Sequence, residues 1–462
     1  MAPSRSGELL ARVNFPLYSL NVLTERHIIV AGGGGSSKTG IQNKIEVYEL
    51  VPGGQTCRAE PVTRHLTGDT AIMNSTVFFH KGKKHFALAA GTDEHCQIYQ
   101  MKYCLRDEVA EEDNVHYEEN GVEKNGPSSV RRRRKTTSTS SDRGDGEIMN
   151  GSVPKEGAAN QRRSSYPETT DSNANSVRIG FSIQPVTSFQ TDFSPKDEPF
   201  QKVVRFAPSI EVLFTGGADG HLRAWKYPDF TMQYEVKAHE DELDDLCVNP
   251  VENKVLTVVT VSRDGHGYVW DASDGSKVSE LTCIFPNKSA EKYVFRACRF
   301  GIVEGKRENN RLFTISNPAV RKQHPSHTYV VKWDTRKFLP EKIQSTGTDM
   351  LSSLAVSEDG RFVGVGKISG TVEVYIAFSL QRLYRAECAH NIFVTGLEFL
   401  KSCDETRRLT GNHDASLISI SVDNHIVAHH IPYPATMGLT GLVLMFIGVL
   451  FLVYILMDFL GL

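Results

Sequence analysis

No C-x-x-C pair occurs among the eight scattered cysteines, and no regular spacing links them. That argues against a disulfide framework or a thiolate zinc site, and for reduced, buried thiols. Excess positive charge is missing as well: 52 Lys and Arg stand against 55 Asp and Glu, a net charge of -3. A body so balanced has no field with which to concentrate nucleic acid. The N-terminal stretch MAPSRSGELLARVNF contains no apolar run long enough for a secretory signal. Translation is therefore expected to finish before any membrane signal emerges. Amphipathic periodicity near 3.6 residues is absent from everything before residue 438.

What is present is a long series of short period-two strands separated by Gly, Asp, Asn or Ser. A tight-turn residue recurs six positions before a strand-end aromatic or aliphatic residue. The pairs are Asp93/Tyr99, Asp219/Trp225, Asp264/Trp270, Ser369/Tyr375 and Asp414/Ile420. The second and third of these lie 45 residues apart, inside the spacing of WD-repeat propeller blades. Ala238-His239 and Ala389-His390 stand where such repeats place Gly-His, and Trp270-Asp271 and Trp333-Asp334 supply the terminal dipeptide. In that repeat the turn Asp bonds the His of the preceding connection, so His239 and Asp264 read as a structural pair rather than a catalytic one. The predicted fold class is all-β, a seven-bladed WD-repeat β-propeller with a single C-terminal transmembrane helix. Its expected blades run 13–61, 62–104, 182–236, 240–283, 292–344, 347–386 and 390–431.

Residues 105–181 break the pattern: 107–123 holds eight acidic residues, 131–135 is an unbroken basic run, and Ser, Thr, Asn and Gly dominate the rest. Too little apolar surface is available there to offset ordering entropy, so a disordered insertion between propeller parts 1–104 and 182–431 is expected. Beyond a linker at 432–437 that contains no charge, residues 438–457 are uncharged and rich in Leu, Ile, Val and Phe. Twenty helical residues at about 1.5 Å each match a hydrocarbon core of about 30 Å. Residues 458–462 would form a short lumenal tail, with the propeller cytosolic. His429-His430 reads as an interfacial linker, and the sequons at Asn74, Asn150 and Asn287 offer a check on orientation.

The most unusual stretch is Gly32-Gly33-Gly34-Gly35 leading to Lys38-Thr39-Gly40-Ile41-Gln42-Asn43. Its outline approximates a phosphate-binding loop, but Ser37 replaces the second required glycine, and the following Lys44-Ile45-Glu46-Val47-Tyr48 alternates as a strand instead of opening a helix. Four glycines exceed what a hairpin needs. Their unobstructed carbonyls suit a weakly bound cation such as potassium, or simply a flexible tip.

The run of glycines and the segment to Asn43 resemble the loop of the prolactin regulatory element-binding protein family, whose fungal counterparts are the endoplasmic-reticulum exchange factors for the COPII small GTPase. The resemblance extends through Phe15-Pro16-Leu17-Tyr18, Gln190-Thr191-Asp192-Phe193, Ala297-Cys298-Arg299-Phe300-Gly301 and the C-terminal anchor. Fungal members carry a proline near Asp69, which this chain lacks. The resemblance implies guanine-nucleotide exchange without covalent chemistry, starting coat assembly and transport from the endoplasmic reticulum to the Golgi. It implies a loop around Gly32, Gly33, Gly34, Gly35 and Gly40 that holds potassium, with Ile41 and Asn43 reaching the GTPase. Ile41 would be an apolar anchor and Asn43 would rearrange polar contacts at the nucleotide site. A membrane-tethered scaffold and a DNA-binding transcriptional regulator, the latter suggested by the basic run, remain the alternatives.

Overall fold

A computed structural model describes residues 7–37, 39–53, 57–80, 82–105, 179–195, 198–250, 256–286, 291–303, 306–434 and 439–461. Among them the strands form seven antiparallel sheets of four strands each. Six sheets take their strands in chain order: 17–68, 74–190, 201–237, 243–280, 293–347 and 351–386. The seventh joins three strands of 394–431 to Glu8–Arg12, which pairs with His425–Ile431. The start of the chain thus closes the ring on its last blade, leaving no wide gap between first and last sheets.

The apolar clusters lie between neighbouring blades. One joins Ile29, Ile45 and Val47 of blade one to Leu88, Met101 and Phe181 of blade two. Another joins Leu17 and Val30 to Ile418 and Ile426 of blade seven. Every blade is covered on both faces, so inner strands such as His27–Gly32, Thr257–Ser262 and Phe362–Lys367 are buried at every residue. A polar residue in such a strand must find a partner inside the protein.

The repeat signature closes as expected in blade four. His239 Nδ1 meets Asp264 Oδ2 at 3.0 Å, His239 Nε2 meets Thr260 Oγ1 at 2.8 Å, and Trp270 Nε1 donates to Thr260 Oγ1 at 2.8 Å. Burial holds the His239 imidazole below its usual pKa despite the neighbouring Asp264. Blade seven repeats this network with different residues: His390 meets Asp423 at 3.1 Å and Ser419 at 2.7 Å, and His429 Nε2 meets Ser419 Oγ at 2.8 Å. The turn residue there is Asp423, not Asp414, and His429 takes the tryptophan's place six positions later. His429 is fully buried and His430 is bonded to Glu8 and Ser416, so neither belongs to a linker.

Strand Ile179–Gln190 is the outermost strand of blade two, paired with His95–Leu105. The stretch expected between blades two and three therefore interrupts blade two itself, and blade three starts at Gln201. The interruption separates two strands that sequence reading has no periodic signal to rejoin. The expected disorder, the basic run 131–135 and the sequons at Asn150 and Asn287 lie outside the described residues. Asn74 Nδ2 donates to Gln201 O at 2.7 Å and its Oδ1 accepts from Gln201 Nε2 at 3.0 Å. All eight cysteines are free thiols, four of them buried and Cys388 exposed. Burial pushes the Cys57 and Cys283 thiols up to about 11 and that of Cys96 to about 12.

The helix Leu439–Leu460 is the one helix among the described residues long and apolar enough to cross a membrane. Its 22 residues span about 33 Å at the usual rise. It continues through Asp458 into the residues expected to form the tail. A second, six-residue helix, Asp404–Leu409, interrupts blade seven before its second strand.

Candidate functional site

Residues 33–42 connect the second and third strands of blade one, His27–Gly32 and Asn43–Pro52. The equivalent connections at 218–220 and 422–424 are short turns. A strand follows the glycines, which removes the phosphate-binding reading: no helix N-terminus is present to face an anion.

Three of the glycines are required by close approach, the first being Gly32, where a Cβ would lie 2.0 Å from Pro16 O. A Cβ on Gly33 would lie 2.2 Å from Asn43 Oδ1, and one on Gly34 would lie 2.2 Å from Thr39 Oγ1 and 3.0 Å from the Ile41 carbonyl oxygen. The loop folds back on its own backbone at the space where side chains would start. Gly33 N also donates to Pro16 O at 3.0 Å, tying the loop base to the Phe15-Pro16-Leu17 stretch.

Asn43 and Ile41 have opposite placements. Asn43 is 5% exposed; its Oδ1 accepts from Gly35 N at 2.8 Å, and its Nδ2 donates to Gly35 O at 3.0 Å and Gly68 O at 3.1 Å. The side chain expected to reach a partner is consumed inside the loop, which it ties to the connection between blades one and two. Ile41 is 39% exposed, with its backbone N–H donating to Thr39 Oγ1 at 3.3 Å. Ser36, Ser37, Thr39, Gly40 and Gln42 are exposed beside it, while Lys38 lies outside the described residues. Asp69 is exposed next to the Gly68 carbonyl that Asn43 holds.

Beneath the loop is a buried charged row on the strand Asn43–Pro52, where the sequence predicts alternation. Lys44, 2% exposed, reaches Asn14 Oδ1 at 2.8 Å and Glu46 at 3.6 Å, and its ammonium lies 4.9 Å from the Phe15 ring centre. Glu46, equally buried, accepts from Arg64 Nε at 2.8 Å and from the Tyr48 hydroxyl. Burial, then the Glu46 charge, pushes the Tyr48 pKa far up. This row fixes the strand from which the loop emerges. Its signal was present in the sequence as Lys-x-Glu-x-Tyr, but only the blade's second covered face turns those residues inward.

Strand order also sets direction. In a four-stranded meander the second-to-third connections lie at one end of the strands, and the first-to-second and third-to-fourth connections at the other. The Gly-rich loop is of the first kind. The chain leaves blade seven after its third strand, His425–Ile431, and so at the other end. The loop and the point at which the chain leaves the propeller are on opposite faces.

No family model matches the chain. It is 33% identical over 455 residues to the guanine nucleotide-exchange factor SEC12 of Rattus norvegicus, covering 98% of each protein, and equally so to that of Mus musculus. SEC12-like protein 2 of Arabidopsis thaliana is 26% identical over 209 residues, 44% of this chain and 47% of that protein. Among solved structures, Raptor of Chaetomium thermophilum superposes with a TM-score of 0.56 at 13% identity over 94% of this chain and 29% of that one. A chain of the COPII outer coat vertex on membranes gives the same TM-score and identity over 93% of this chain and 86% of that one. Likeness at that identity carries the propeller fold alone.

Proposed function

Since this chain belongs to the SEC12 family of guanine nucleotide-exchange factors, we propose that its Gly-rich loop releases GDP from the COPII small GTPase at the endoplasmic-reticulum membrane. The partner and the membrane come from the resemblance in the loop and along the chain. The observation that carries the reading is the pairing of an exposed apolar residue, Ile41, with a loop held rigid by the buried Asn43. A preorganised loop loses little conformational freedom on docking, so more of its contact energy remains to distort a partner.

No bond is broken in exchange. A factor that binds the nucleotide-free GTPase more tightly than its GDP form must, by reciprocity, weaken GDP binding by the same ratio. GTP then refills the site because it is the more abundant nucleotide in cytosol. In this division of roles Ile41 contacts the GTPase, and Asn43 positions the segment that carries Ile41.

Potassium fits the donor chemistry of the loop. The oxygens gathered at Gly34 are a hydroxyl and a carbonyl, Thr39 Oγ1 and Ile41 O, and residues 32–43 contain no carboxylate. Neutral oxygens of this kind suit a weakly held monovalent cation. Of the candidate glycines, Gly33, Gly34 and Gly40 lie in the loop, Gly32 ends a strand, and the Gly35 carbonyl is already engaged by Asn43. Such an ion would supply a positive centre that draws these oxygens together and stiffens the loop.

The reading is tested by following fluorescent GDP release from the purified COPII GTPase with wild-type and Ile41→Ala protein. An equal rate for both would sink the loop assignment. Hydrogen exchange of residues 33–42 in potassium against sodium tests the ion independently of activity.

A further inference from the structure

The anchor-side face of the propeller contains a cavity of about 800 Å³ beneath blades five and six, within the range of about 300–1,000 Å³ for small-molecule sites. Its inner wall is apolar, formed by Phe313, Phe362 and Ile376, with the more exposed Leu383 nearer the mouth. At its mouth stands Phe378, 82% exposed, and Pro432, Tyr433 and Pro434 form one side.

The polar groups of the wall are spent on one another. Arg361 forms a two-point pair with Asp414 at 2.6 and 3.0 Å and also meets Asp359 at 2.7 Å. Lys332 Nζ donates to the Phe378 carbonyl at 3.2 Å, lies 3.6 Å from Glu341, and sits 5.3 Å from the Phe378 ring centre. What the cavity offers an occupant is therefore chiefly hydrocarbon surface.

Continuity identifies the occupant. Pro434 precedes the first residue of the helix, Leu439, by five positions, a reach of at most about 18 Å. If that helix enters a bilayer, the cavity mouth is beside the lipid. Phe378, Leu383 and Tyr433 are exposed together around the cavity, and a bilayer surface removes such a group from water. We infer that the cavity takes an acyl chain of a phospholipid from the bilayer entered by the protein's own anchor. The chain exchanges one apolar surrounding for another, while Phe378, Tyr433 and the cavity wall leave water. The propeller is thereby held with its anchor-side face against the membrane and its Gly-rich loop directed away. This inference rests on the helix 439–460 spanning the membrane, and not on the exchange reading.

The test uses the full-length protein in phosphatidylcholine vesicles containing a phosphatidylcholine with a photoreactive diazirine on its acyl chain. After illumination, labelled peptides are mapped by mass spectrometry. Label is expected within 376–384 and at Tyr433, as well as on the helix. Leu383→Trp, which fills the cavity from its half-exposed wall, and Phe378→Asp, at an exposed position, should each lower cavity label at least fivefold and leave helix label unchanged. Thermal unfolding identifies any variant that fails to fold, and the other then decides. Label on the helix alone, or cavity label indifferent to both substitutions, overturns the inference. Label missing from the helix would instead overturn the membrane reading on which it rests.

Discussion

Asn43 and Gly35 clasp each other across the mouth of the Gly-rich loop, Gly35 N donating to Asn43 Oδ1 at 2.8 Å and Asn43 Nδ2 returning a bond to Gly35 O at 3.0 Å. Replacing Asn43 by Ala removes both bonds and the one to Gly68 O. Gly35 is partly buried and Gly68 exposed, so water can replace part of what is lost and the cost is about 0.5–1.5 kcal/mol per bond, borne locally by the loop. Faster hydrogen exchange at 33–42 and slower GDP release are expected together. Asn43→Asp should be no milder, because a carboxylate would face the Gly35 and Gly68 carbonyls without a donor.

Ile41 makes the opposite prediction. Its partly exposed side chain contributes little to the fold, so Ile41→Ala should change stability by no more than about 0.5 kcal/mol. Loss of an apolar interface anchor typically costs about 2 kcal/mol or more, roughly thirtyfold in rate or affinity. Urea unfolding and nucleotide-release assays on one preparation separate the two effects.

Glu373 is fully buried beneath blade six, with Lys367 Nζ at 3.0 Å, Arg382 NH1 at 2.9 Å and the Tyr375 hydroxyl donating to it at 2.6 Å. Removing the carboxylate strands the buried Lys367 ammonium, at about 3–5 kcal/mol, while Arg382, a third exposed, can turn to water. Glu373→Gln should lower the urea midpoint substantially while the Gly-rich loop, in another blade, keeps its own hydrogen bonds.

Stability should fall on acidification for a specific reason. Burial, aided by His390 and His430, holds the His429 imidazole down to about 3 from an ordinary 6.5. An unfolded chain then binds one more proton at this site than the native protein between those values. The contribution is complete above about pH 6.5 and is lost at about 1.4 kcal/mol per pH unit as pH falls toward 3. His429→Gln keeps a polar partner for Ser419 and Tyr384 but cannot titrate, so it should flatten the pH dependence of the unfolding midpoint in that window.

Truncation after Pro434 should leave the propeller intact. Its seventh blade is completed by Glu8–Arg12 rather than by anything in the anchor. The truncated protein is expected to be water-soluble, to unfold at an unchanged temperature, and to release GDP in solution at the full rate. Deleting residues 1–12 instead should destabilise the whole ring, measurable as a large fall in melting temperature.

The sequence by itself determined the class of the fold, because turn residues and strand ends are local signals: Asp264 and Trp270 reveal a blade without reference to anything distant. It also determined the C-terminal apolar helix, an uninterrupted apolar run, and the location of the unusual loop. Local signals failed where partners are far apart in the chain. Pairing of Glu8–Arg12 with His425–Ile431 and of His95–Leu105 with Ile179–Gln190 depends on ring closure and on crossing a long interruption, which no short window contains. Blade seven misled for a related reason: Asp414 lies six residues before Ile420, but the turn that closes on His390 is at Asp423.

At the site, glycine content marked the loop, while only the tertiary structure decided which way its residues face. Asn43 and Ile41 are two positions apart, and both are expected from the sequence to reach the partner. One is drawn inward because two backbone groups of Gly35 and the Gly68 carbonyl await its amide; the other has no polar group to satisfy and remains at the surface.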